Sequence, residues 1–406
     1  MRVLILTQWF DPEPAPKGLG FAKSVAALGH HVEVLTGYPN YPGGKLYPGY
    51  RMRWRDRATI DGIDITRVPL YPSHDRSRIG RALNYVTFFM SSTWHLLFSV
   101  SRPDVIYCYH PPLTSGLAAA IGSRLRKVPL VYDIQDLWPD TLMSTGMIKQ
   151  GRIVRLIGRL CKAVYRHADA ITVLSEGFKK RLVERGVPAE KLTVIHNWCE
   201  ESRIVHGDAH WGPNRMPMGM DGKFNVVFAG TMGRAQALDA VLEAARVVAK
   251  QCTDVQFVFV GGGIEVERLK AAAKGDGNVL FMPPVPMDEV GRFLGRADAT
   301  LVHLRDDPLF EITIPSKTQA YMAVGKPIIM AVRGDAAHMV KEAGAGIAAT
   351  PEDANSIAAA VLELRRMSAQ DRSAMGERGR TYYRNHLAMR VGVAKFDAIF
   401  RQIVRN

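Results

Sequence analysis

The chain has 406 residues, of which 47% are hydrophobic and 23% are charged, and its formal net charge is +14 at pH 7. This is the composition of a soluble globular protein, and the length is too great for one hydrophobic core, so we expect two domains. The four cysteines lie far apart in the sequence and have no metal-ligand spacing, which fits free thiols in a reducing compartment. The N-terminal strand at 2–7 is too short for the core of a signal peptide.

The positive charge is concentrated in the first half of the chain. Residues 1–200 contain 27 Lys and Arg against 16 Asp and Glu, whereas residues 201–406 contain 26 against 23. The first half therefore favours an anionic partner, which could be a membrane surface, a nucleic acid or a polyphosphate substrate. The alternative is that a generally basic proteome accounts for the excess.

Strand and helix patterns alternate along both halves of the chain and predict an α/β fold. We expect two doubly wound, Rossmann-like domains facing across a cleft, at 1–200 and 223–385, joined by a linker at 201–222. The C-terminal helix, 386–406, could pack back on the first domain. Buried parallel strands are predicted at 2–7, 32–36, 105–109, 130–134, 170–174, 191–195, 225–229, 256–260, 279–282, 299–304 and 327–332.

An arginine-rich segment precedes an aromatic-rich helix in the first domain. Eight arginines lie between Arg51 and Arg81, and residues 82–100 contain 12 apolar and 7 polar residues. This helix is too polar to span a bilayer, but the combination suits peripheral contact with anionic lipid. The alternative is a helix that packs under the first sheet beside solvated arginines.

Glycine-bearing turns follow several predicted strands. The three clearest are Gly18-Leu19-Gly20, Gly230-Thr231-Met232-Gly233 and Gly261-Gly262-Gly263. Together they favour a phosphate-bearing ligand, although single turns of this kind are often only tight connections. Neither half has the complete dinucleotide fingerprint with its acidic residue, so a nicotinamide dehydrogenase is poorly supported.

Lys317 lies at the start of a predicted helix, after Thr313-Ile314-Pro315-Ser316 and before the Gly325-Lys326-Pro327 turn. A lysine at a helix N-terminus makes an anion site, because the free N–H groups and the helix dipole add to its charge. The alternative is an ordinary loop–helix–strand unit with a solvated lysine. The sequence has no Asp-x-Asp motif, so a leaving diphosphate would need the cations Arg234, Arg305 and Lys317 rather than a metal.

Six segments together resemble the retaining GT-B glycosyltransferases of family 4, and more narrowly the bacterial fucosamine-transferase-like members that build O-antigen and capsule units. The resemblance covers nearly the whole chain. It is carried by the turn at 18–20, the segment 28–42 with Tyr38-Pro39-Asn40-Tyr41-Pro42, the segment Asp133-Ile134-Gln135-Asp136-Leu137-Trp138-Pro139-Asp140, His196-Asn197-Trp198, the loop 228–233 with Gln236, and the stretch 314–329.

The resemblance implies a UDP-sugar donor in the second domain and a polyprenyl-diphosphate-linked saccharide acceptor on the first. No cofactor, no metal and no nucleic acid would take part. The implied location is the inner face of the cytoplasmic membrane, on which the protein would be peripheral. Donor-binding candidates are Gly230, Thr231, Gly233, Gln236, Val285, Met287, Arg305, Glu311, Pro315, Ser316 and Gln319. Catalytic candidates are Asp136, Arg234 and Lys317, and the acceptor or diphosphate loop comprises Lys17, Gly18, Gly20 and His110.

Asp136 and His110 are candidates because they follow predicted strands and would lie at the carboxyl edge of the first sheet. Asp136 could orient or deprotonate an acceptor hydroxyl. Its alternative role is to cap the helix that follows. The alternative for His110 is a structural role.

The chain departs from the family pattern at the donor sugar. Many members have two glutamates spaced E-x7-E, but the corresponding positions here are Ile312 and Ala320. Glu311 or Gln319 could substitute for them. Many members also have His-Asp where this chain has Gln135 and Asp136, a loss that a 6-deoxy sugar would tolerate.

Two other classes of function remain open. A UDP-sugar 2-epimerase of the same fold also binds a sugar nucleotide, although it would need more acid and base groups than we can place. A basic nucleic-acid-binding protein would need aromatic residues interleaved with the basic segment, where only Trp54 and Tyr71 qualify.

Overall fold

The computed structural model describes residues 1–73, 78–144, 151–204 and 219–405. The chain divides into two compact units: the first comprises Met1–His196 and Met389–Asn406, and the second comprises Asn197–Ala388. Arg76 of the basic segment and residues 205–218 of the expected linker lie outside the described residues. Residues 201–204 of that linker form a short helix.

The first unit contains an eight-stranded sheet with the order β3-β4-β2-β1-β5-β6-β7-β8. Every neighbouring pair is parallel except β3 and β4. All residues of β5, β6 and β7 are buried, as expected for parallel strands covered by helices on both faces. The strands are β1 (Arg2–Leu6), β2 (His31–Gly37), β3 (Asp56–Ile60), β4 (Ile63–Val68), β5 (Val105–His110), β6 (Leu130–Ile134), β7 (Ala170–Val173) and β8 (Leu192–Val194).

The helices of the first unit divide between the two faces of this sheet. The connection through α1 steps from β1 to β2, whereas those through α2, α3, α5 and α6 step in the opposite direction across the sheet. Because such crossovers are right-handed, the two sets cover opposite faces. Accordingly, α2 packs on α3, α3 packs on α5, and α1 packs on α16. The helices are α1 (Leu19–Ala26), α2 (Arg78–Phe98), α3 (Leu113–Arg126), α4 (Asp140–Ser144), α5 (Arg152–His167), α6 (Glu176–Glu184) and α16 (Met389–Arg405).

The second unit contains a six-stranded, fully parallel sheet with the order β11-β10-β9-β12-β13-β14. Its strands are β9 (Phe224–Ala229), β10 (Val255–Val260), β11 (Val279–Met282), β12 (Ala299–His303), β13 (Ile328–Ala331) and β14 (Gly346–Ala348). Its helices are α7 (Glu201–Ile204), α8 (Asp239–Ala249), α9 (Val266–Ala272), α10 (Met287–Gly295), α11 (Pro308–Glu311), α12 (Ser316–Val324), α13 (Asp335–Glu342), α14 (Ala354–Arg366) and α15 (Ala369–Tyr382).

The helix expected at 82–100 is α2, which begins at Arg78 and ends at Phe98. Within the described residues, no helix combines the length and the apolar character needed to cross a membrane. The first two turns of α2 lie at the carboxyl edge of the sheet. Asn84 of α2 accepts a hydrogen bond from Gln8, which follows β1, and donates one to Asn40, which follows β2 (3.2 Å).

Candidate active site

Two glycine turns of the second unit meet where β9 and β10 end. The Gly230 N–H donates to the Val260 carbonyl (2.8 Å), and the Met232 N–H donates to the Gly262 carbonyl (2.7 Å). Gly261 has a φ of +136°, and a Cβ atom there would lie 2.2 Å from the Gly230 carbonyl oxygen. Only glycine allows the two turns to approach so closely.

Lys317 lies in the first turn of α12 and reaches the Gly230 turn. A Cβ atom on Gly230 would lie 3.1 Å from the Lys317 Nζ, and this Nζ lies 4.8 Å from the centre of the Phe228 ring. Within the described part of the chain, the ammonium group has no carboxylate partner. Burial lowers the pKa of Lys317 to about 8. The side chain is therefore a positive group held beside a backbone turn without a counter-charge.

The N-terminus of α12 adds to this positive potential. Pro315 is the N-cap residue and makes no side-chain capping bond, and the first turn of α12 contains no acidic residue. The partial positive charge of the helix end is therefore not neutralised locally. Ser316 is exposed at this end of the helix. Tyr321 anchors α12 to the sheet, because its hydroxyl accepts a hydrogen bond from the Ala229 N–H at the end of β9 (2.9 Å).

Arg234 and Arg305 lie around a neighbouring cleft of about 340 Å³, whose lining also includes Glu265 and Glu352 but does not include Lys317. The side chain of Arg234 is 84% exposed, with its Nε 3.6 Å from a Glu265 carboxylate oxygen. The three cations expected around one diphosphate are thus divided between the cleft and the α12 N-terminus. Gln236 fixes the turn between them, since its side-chain oxygen accepts from the Gly233 N–H (2.9 Å).

The remaining donor-binding candidates lie at different depths. Thr231 and Met287 are exposed, and Val285 is half-buried in the segment that follows β11. Glu311 is exposed at the end of α11, so it is accessible to a ligand. Gln319 is buried, and in the amide orientation that satisfies its neighbours its nitrogen donates to the Pro315 carbonyl (2.8 Å). Gln319 therefore bonds the start of its own helix in this structure.

Lys17, expected in an anion-binding loop, is buried in the first unit. Its side chain is 1% exposed, and its Nζ lies 2.7 Å from an Asp133 carboxylate oxygen. Asp133 also accepts hydrogen bonds from Tyr107 (2.6 Å), Thr172 (2.6 Å) and Gln135 (2.9 Å). Burial lowers the pKa of Lys17, while the charge of Asp133 opposes this shift. The ammonium group thus belongs to a core network and is not presented to a ligand here.

The turn at Gly18 and Gly20 also has an internal partner. The Leu19 N–H, at the start of α1, donates to an Asp11 carboxylate oxygen (2.5 Å). A Cβ atom on Gly18 would lie 2.1 Å from that oxygen, so glycine is required for this approach. At Gly20, a Cβ atom would lie 3.7 Å from the Met389 side chain, an ordinary contact. The N-terminus of α1 is therefore capped by a carboxylate of the chain itself.

Asp136 follows β6 and is half-buried. Burial raises the pKa of its carboxyl group to about 6. Its side chain makes no hydrogen bond within the described residues, so it does not serve there as a helix cap. Burial raises the pKa values of Tyr85 and Tyr109, and the charge of Asp136 adds to both shifts. A carboxyl group in this state can accept a proton or a hydrogen bond from a ligand hydroxyl near neutral pH.

His110 is fully enclosed among aromatic rings. Its ring centre lies 5.7 Å from that of Tyr132 and 5.5 Å from that of Trp138, both in edge-on arrangements. Burial lowers its pKa to about 3, so the imidazole is neutral at physiological pH. This environment is that of a packing residue beneath the carboxyl edge of the sheet.

Sequence reasoning missed Tyr85, an aromatic residue of α2 on which the charge of Asp136 acts. Burial is the main cause of the raised pKa of Tyr85, and the Asp136 carboxylate adds to it. The Tyr41 ring lies 5.2 Å from the Trp9 ring. Tyr41 belongs to the motif at 38–42 used for the resemblance, but nothing in the sequence brings Tyr85 beside it, because that depends on how α2 packs.

Among the described residues, no group of three or more His, Cys, Asp or Glu could hold a metal ion.

Comparison with known proteins places the chain in a family. Residues 19–198 match the family described as "Glycosyl transferase 4-like domain", and residues 223–366 match the one described as "Glycosyl transferases group 1". The chain belongs to the GT-B glycosyltransferases of family 4. The α/β fold class predicted from the sequence, with two parallel-sheet Rossmann-like domains, is confirmed.

Two curated relatives of this glycosyltransferase are similar over most of their length. It is 27% identical over 334 residues to the putative colanic acid biosynthesis glycosyl transferase WcaI of Escherichia coli (strain K12), covering 80% of this chain and 82% of the relative. It is 26% identical over 276 residues to the probable glycosyltransferase WbjE of Pseudomonas aeruginosa, covering 67% of this chain and 68% of the relative.

Solved structures share the fold of this glycosyltransferase at low sequence identity. Sucrose-phosphate synthase from Thermosynechococcus elongatus matches with a TM-score of 0.71 and 16% identity, covering 99% of this chain and 98% of that one. Anabaena HepE, solved in complex with UDP-glucose, matches with a TM-score of 0.68 and 14% identity, covering 99% of this chain and 100% of that one. At these identities the likeness shows the fold alone.

Proposed function

We propose that this glycosyltransferase moves a hexosamine-type sugar from a UDP-linked donor to a lipid-linked saccharide, with retention of configuration, in surface polysaccharide synthesis. N-acetylfucosamine and N-acetylglucosamine-like sugars are the donor candidates. The observation that carries the proposal is the uncompensated ammonium group of Lys317 at the N-terminus of α12, beside the Gly230 turn. The names of the relatives support the pathway class, and the UDP-glucose complex of a fold relative supports the nucleotide class.

At the donor, Lys317 and the α12 N-terminus would neutralise the charge that develops on the leaving diphosphate. Preorganised positive groups of this kind stabilise a transition state because they need no reorganisation during the reaction. The exposed side chain of Arg234, which lines the neighbouring cleft, would supply further positive charge. The sequence has no Asp-x-Asp motif, and for that reason we propose that these groups replace a divalent metal ion.

At the acceptor, Asp136 would orient the attacking hydroxyl group and take its proton. A general base works best when its pKa lies near the working pH, and burial brings the Asp136 carboxyl group close to that range. Tyr85, on which the charge of Asp136 acts, has an aromatic ring suited to the apolar face of a sugar.

We propose a peripheral contact with the anionic inner face of the cytoplasmic membrane, through the Arg51–Arg81 region and α2. Trp54, Trp94 and Phe98 form an exposed aromatic cluster there, with ring separations of 6.4 Å and 4.7 Å along the series. Exposed aromatic rings beside arginines are suited to the boundary between lipid headgroups and acyl chains.

The two alternatives are less well supported. Both curated relatives are named as glycosyltransferases, which does not favour a 2-epimerase. Trp54 packs against Trp94 of α2, and this contact does not favour a row of aromatic residues interleaved with the arginines, which nucleic-acid binding would need.

Calorimetric titration with UDP tests the donor site. We expect UDP to bind the wild type equally with and without EDTA, and Lys317→Ala to weaken binding at least about tenfold, because a charge-assisted contact is lost. Lys341→Ala, which removes an exposed lysine from α13, is the matched control and should bind as the wild type does. Absence of UDP binding, or equal affinity in Lys317→Ala, would contradict the proposal.

A further inference from the structure

Three neighbouring helices of the first unit form a surface with an unusual charge composition. α2, α3 and α5 pack side by side on one face of the sheet. Together they contain nine Lys and Arg residues and no Asp or Glu. We call the outer surface of these three helices the basic helical face. A surface of one sign over three helices attracts an anionic partner and repels a basic one.

The outer side of α2 carries a continuous apolar stripe. Its members recur every three or four residues, the spacing that keeps side chains on one side of a helix. Ile79 is 75% exposed at one end of the helix, and Phe98 is 68% exposed at the other. The stripe therefore runs the full length of α2, about 30 Å at 1.5 Å per residue. The other exposed members are Leu83, Val86, Met90 and Trp94.

α3 and α5 also expose apolar side chains, α3 near its C-terminus and α5 in its first two turns. Leu125 of α3 is exposed. Ile153 and Leu156 of α5 are 62% and 55% exposed. They lie beside exposed Arg155 and Arg159 on the same helix. A helix buried only against its own domain would place such residues inward, as α5 does with Cys161, Val164 and Tyr165 in its second half.

The opposite face of the first unit lacks these features. Within the described part of α1, α16 and the turn after α1, the exposed large hydrophobic residues are Leu28 (43%) and Val404 (36%), and both are less exposed than every member of the α2 stripe. α16 also contains Asp397, which pairs with Arg401 (2.9 Å). The combination of positive charge without acidic residues and exposed apolar side chains is therefore specific to one face of the unit.

We propose that the whole basic helical face, including α5, lies on an anionic lipid bilayer with its helices parallel to the membrane plane. This inference rests on the proposed function and extends its lipid contact from α2 to α3 and α5. The apolar side chains enter the boundary between headgroups and acyl chains, while the arginines contact lipid phosphates. A stable anchor of this kind needs both apolar burial and charge, and the three helices supply both.

The proposed orientation places the acceptor candidate beside the bilayer. The first turns of α2 lie at the carboxyl edge of the sheet, where Asn84 bonds the residues that follow β1 and β2. Asp136 follows β6 at the same edge. Burial raises the pKa of Tyr85, which follows Asn84 in the chain, and the charge of Asp136 adds to this shift. A saccharide whose lipid tail remains in the membrane could therefore reach Asp136 along the start of α2.

Vesicle flotation of the full-length chain tests the role of α5, which the α2 contact alone does not require. The probes are vesicles of phosphatidylcholine with about 30% phosphatidylglycerol, a strongly anionic surface, and vesicles of phosphatidylcholine alone. We expect wild type to bind the anionic vesicles much more tightly. Arg155→Gln/Arg159→Gln should weaken this binding at least about tenfold, since each surface cation contributes to lipid attraction. Lys395→Gln/Arg405→Gln removes the same charge from α16 and should have little effect.

A second pair of variants tests the apolar contribution. Ile153→Ser/Leu156→Ser should weaken binding to anionic vesicles by a similar factor, whereas Leu28→Ser/Val404→Ser, on the opposite side of the unit, should not. Equal binding by the α5 and control variants would overturn the proposal. So would a dimer in lipid-free solution that the α5 variants dissociate, because the face would then be an interface between copies.

The same variants separate this inference from the proposed function. UDP affinity, measured by calorimetry, should be unchanged in all four, since none lies in the second unit. Loss of lipid binding with normal UDP binding supports the inference. UDP binding without any lipid binding by the wild type overturns the inference and leaves the donor site intact, whereas lipid binding without UDP binding overturns only the transferase proposal.

Discussion

Burial and positive charge oppose each other most directly at Lys317. The ammonium group is held against the Phe228 ring and the Gly230 turn without a carboxylate partner in the described residues. Retaining such a group costs stability, because desolvation disfavours its charged form. A bound diphosphate would supply the missing counter-charge. The residue is therefore suited to ligand binding, and it does not add to the stability of the fold.

The Lys317 pKa predicts how UDP affinity depends on pH. In the free protein the group is charged below about pH 8, and bound diphosphate would keep it charged to higher pH. UDP affinity should therefore be constant below about pH 8 and fall by up to about tenfold per pH unit above it. Calorimetry from neutral pH to about 1.5 units above the Lys317 pKa measures this. Lys317→Arg keeps its charge throughout the range and should show no such decline, so an equal decline in this variant would contradict the prediction.

The ionisation of Asp136 predicts that transfer activity falls at low pH, whereas the ionisation of Lys317 predicts that UDP affinity falls at high pH. The Asp136 pKa of about 6 means that the base form is lost as pH falls through 6, and transfer activity should fall with it. Asp136→Asn should reduce kcat by about 10² to 10⁴ while UDP binding is retained. The substitution should also raise the thermal midpoint at about pH 8 but not at about pH 4, because only the ionised carboxylate suffers from burial. Full activity in Asp136→Asn would exclude its role as a base.

Lys17 and Asp133 should prove structural. Removing one member of a buried, hydrogen-bonded ion pair leaves the other charged and unpaired, which costs about 3–5 kcal/mol. We therefore expect Lys17→Met and Asp133→Leu each to destabilise the protein strongly in urea, and the double variant to cost less than the two together. Normal stability with weakened substrate binding in Lys17→Met would instead support the original interpretation of Lys17 as an anion-binding residue.

At the scale of elements, the paired turns after β9 and β10 fix the candidate donor site. Their backbone hydrogen bonds set the position of Gly230, and hence the space into which Lys317 extends. The approach depends on glycine at Gly261, for both its φ of +136° and its nearness to the Gly230 carbonyl. A side chain there would move the turn as well as strain the backbone.

Gly261→Ala should lower stability by about 2–4 kcal/mol and weaken UDP binding, because both strain and crowding act at this position. Gly275→Ala is the matched control: Gly275 has a φ of +97°, but a Cβ atom there would have no other atom within 4 Å. It should cost only about 1 kcal/mol and leave UDP affinity unchanged. Urea unfolding and calorimetry on both variants separate the two effects, and equal losses would show that backbone strain alone is responsible.

At the scale of the whole molecule, the chain returns to its first unit after completing the second. α16 packs Phe396 against Phe21 (5.4 Å between ring centres) and against Tyr107 (5.3 Å). The core of the first unit thus includes residues from both ends of the chain. His30, which follows α1, also contacts Asp397 of this helix (2.6 Å).

Phe396→Ala should therefore destabilise the first unit by about 3–5 kcal/mol, since it opens a cavity in a packed aromatic cluster. Phe98→Ala removes the same side chain from an exposed position on α2 and should change stability by less than about 0.5 kcal/mol. Hydrogen exchange at β1 and β5 reports on the first unit directly. Similar protection in both variants would show that α16 contributes little to this core.

Much of the fold was predictable, because a parallel sheet buries both faces of its strands and leaves an apolar run for each. The predicted strand at 130–134 coincides with β6, and that at 279–282 with β11. Boundaries at polar junctions were less accurate: α2 begins at Arg78, ahead of the predicted start at 82, since Arg78 and Arg81 are compatible with either a loop or a helix.

The sequence by itself determined the two α/β halves, the glycine turns after strands, the excess of positive charge and the Ser316-Lys317 helix start, because each is a local pattern of residue types. Only the tertiary structure decided which charges have partners. Lys17 and Lys317 both adjoin a turn and a helix in sequence, yet one is neutralised by Asp133 from a distant strand and the other has no such carboxylate in the described residues. Pairing depends on contacts between distant segments, which composition and spacing do not specify.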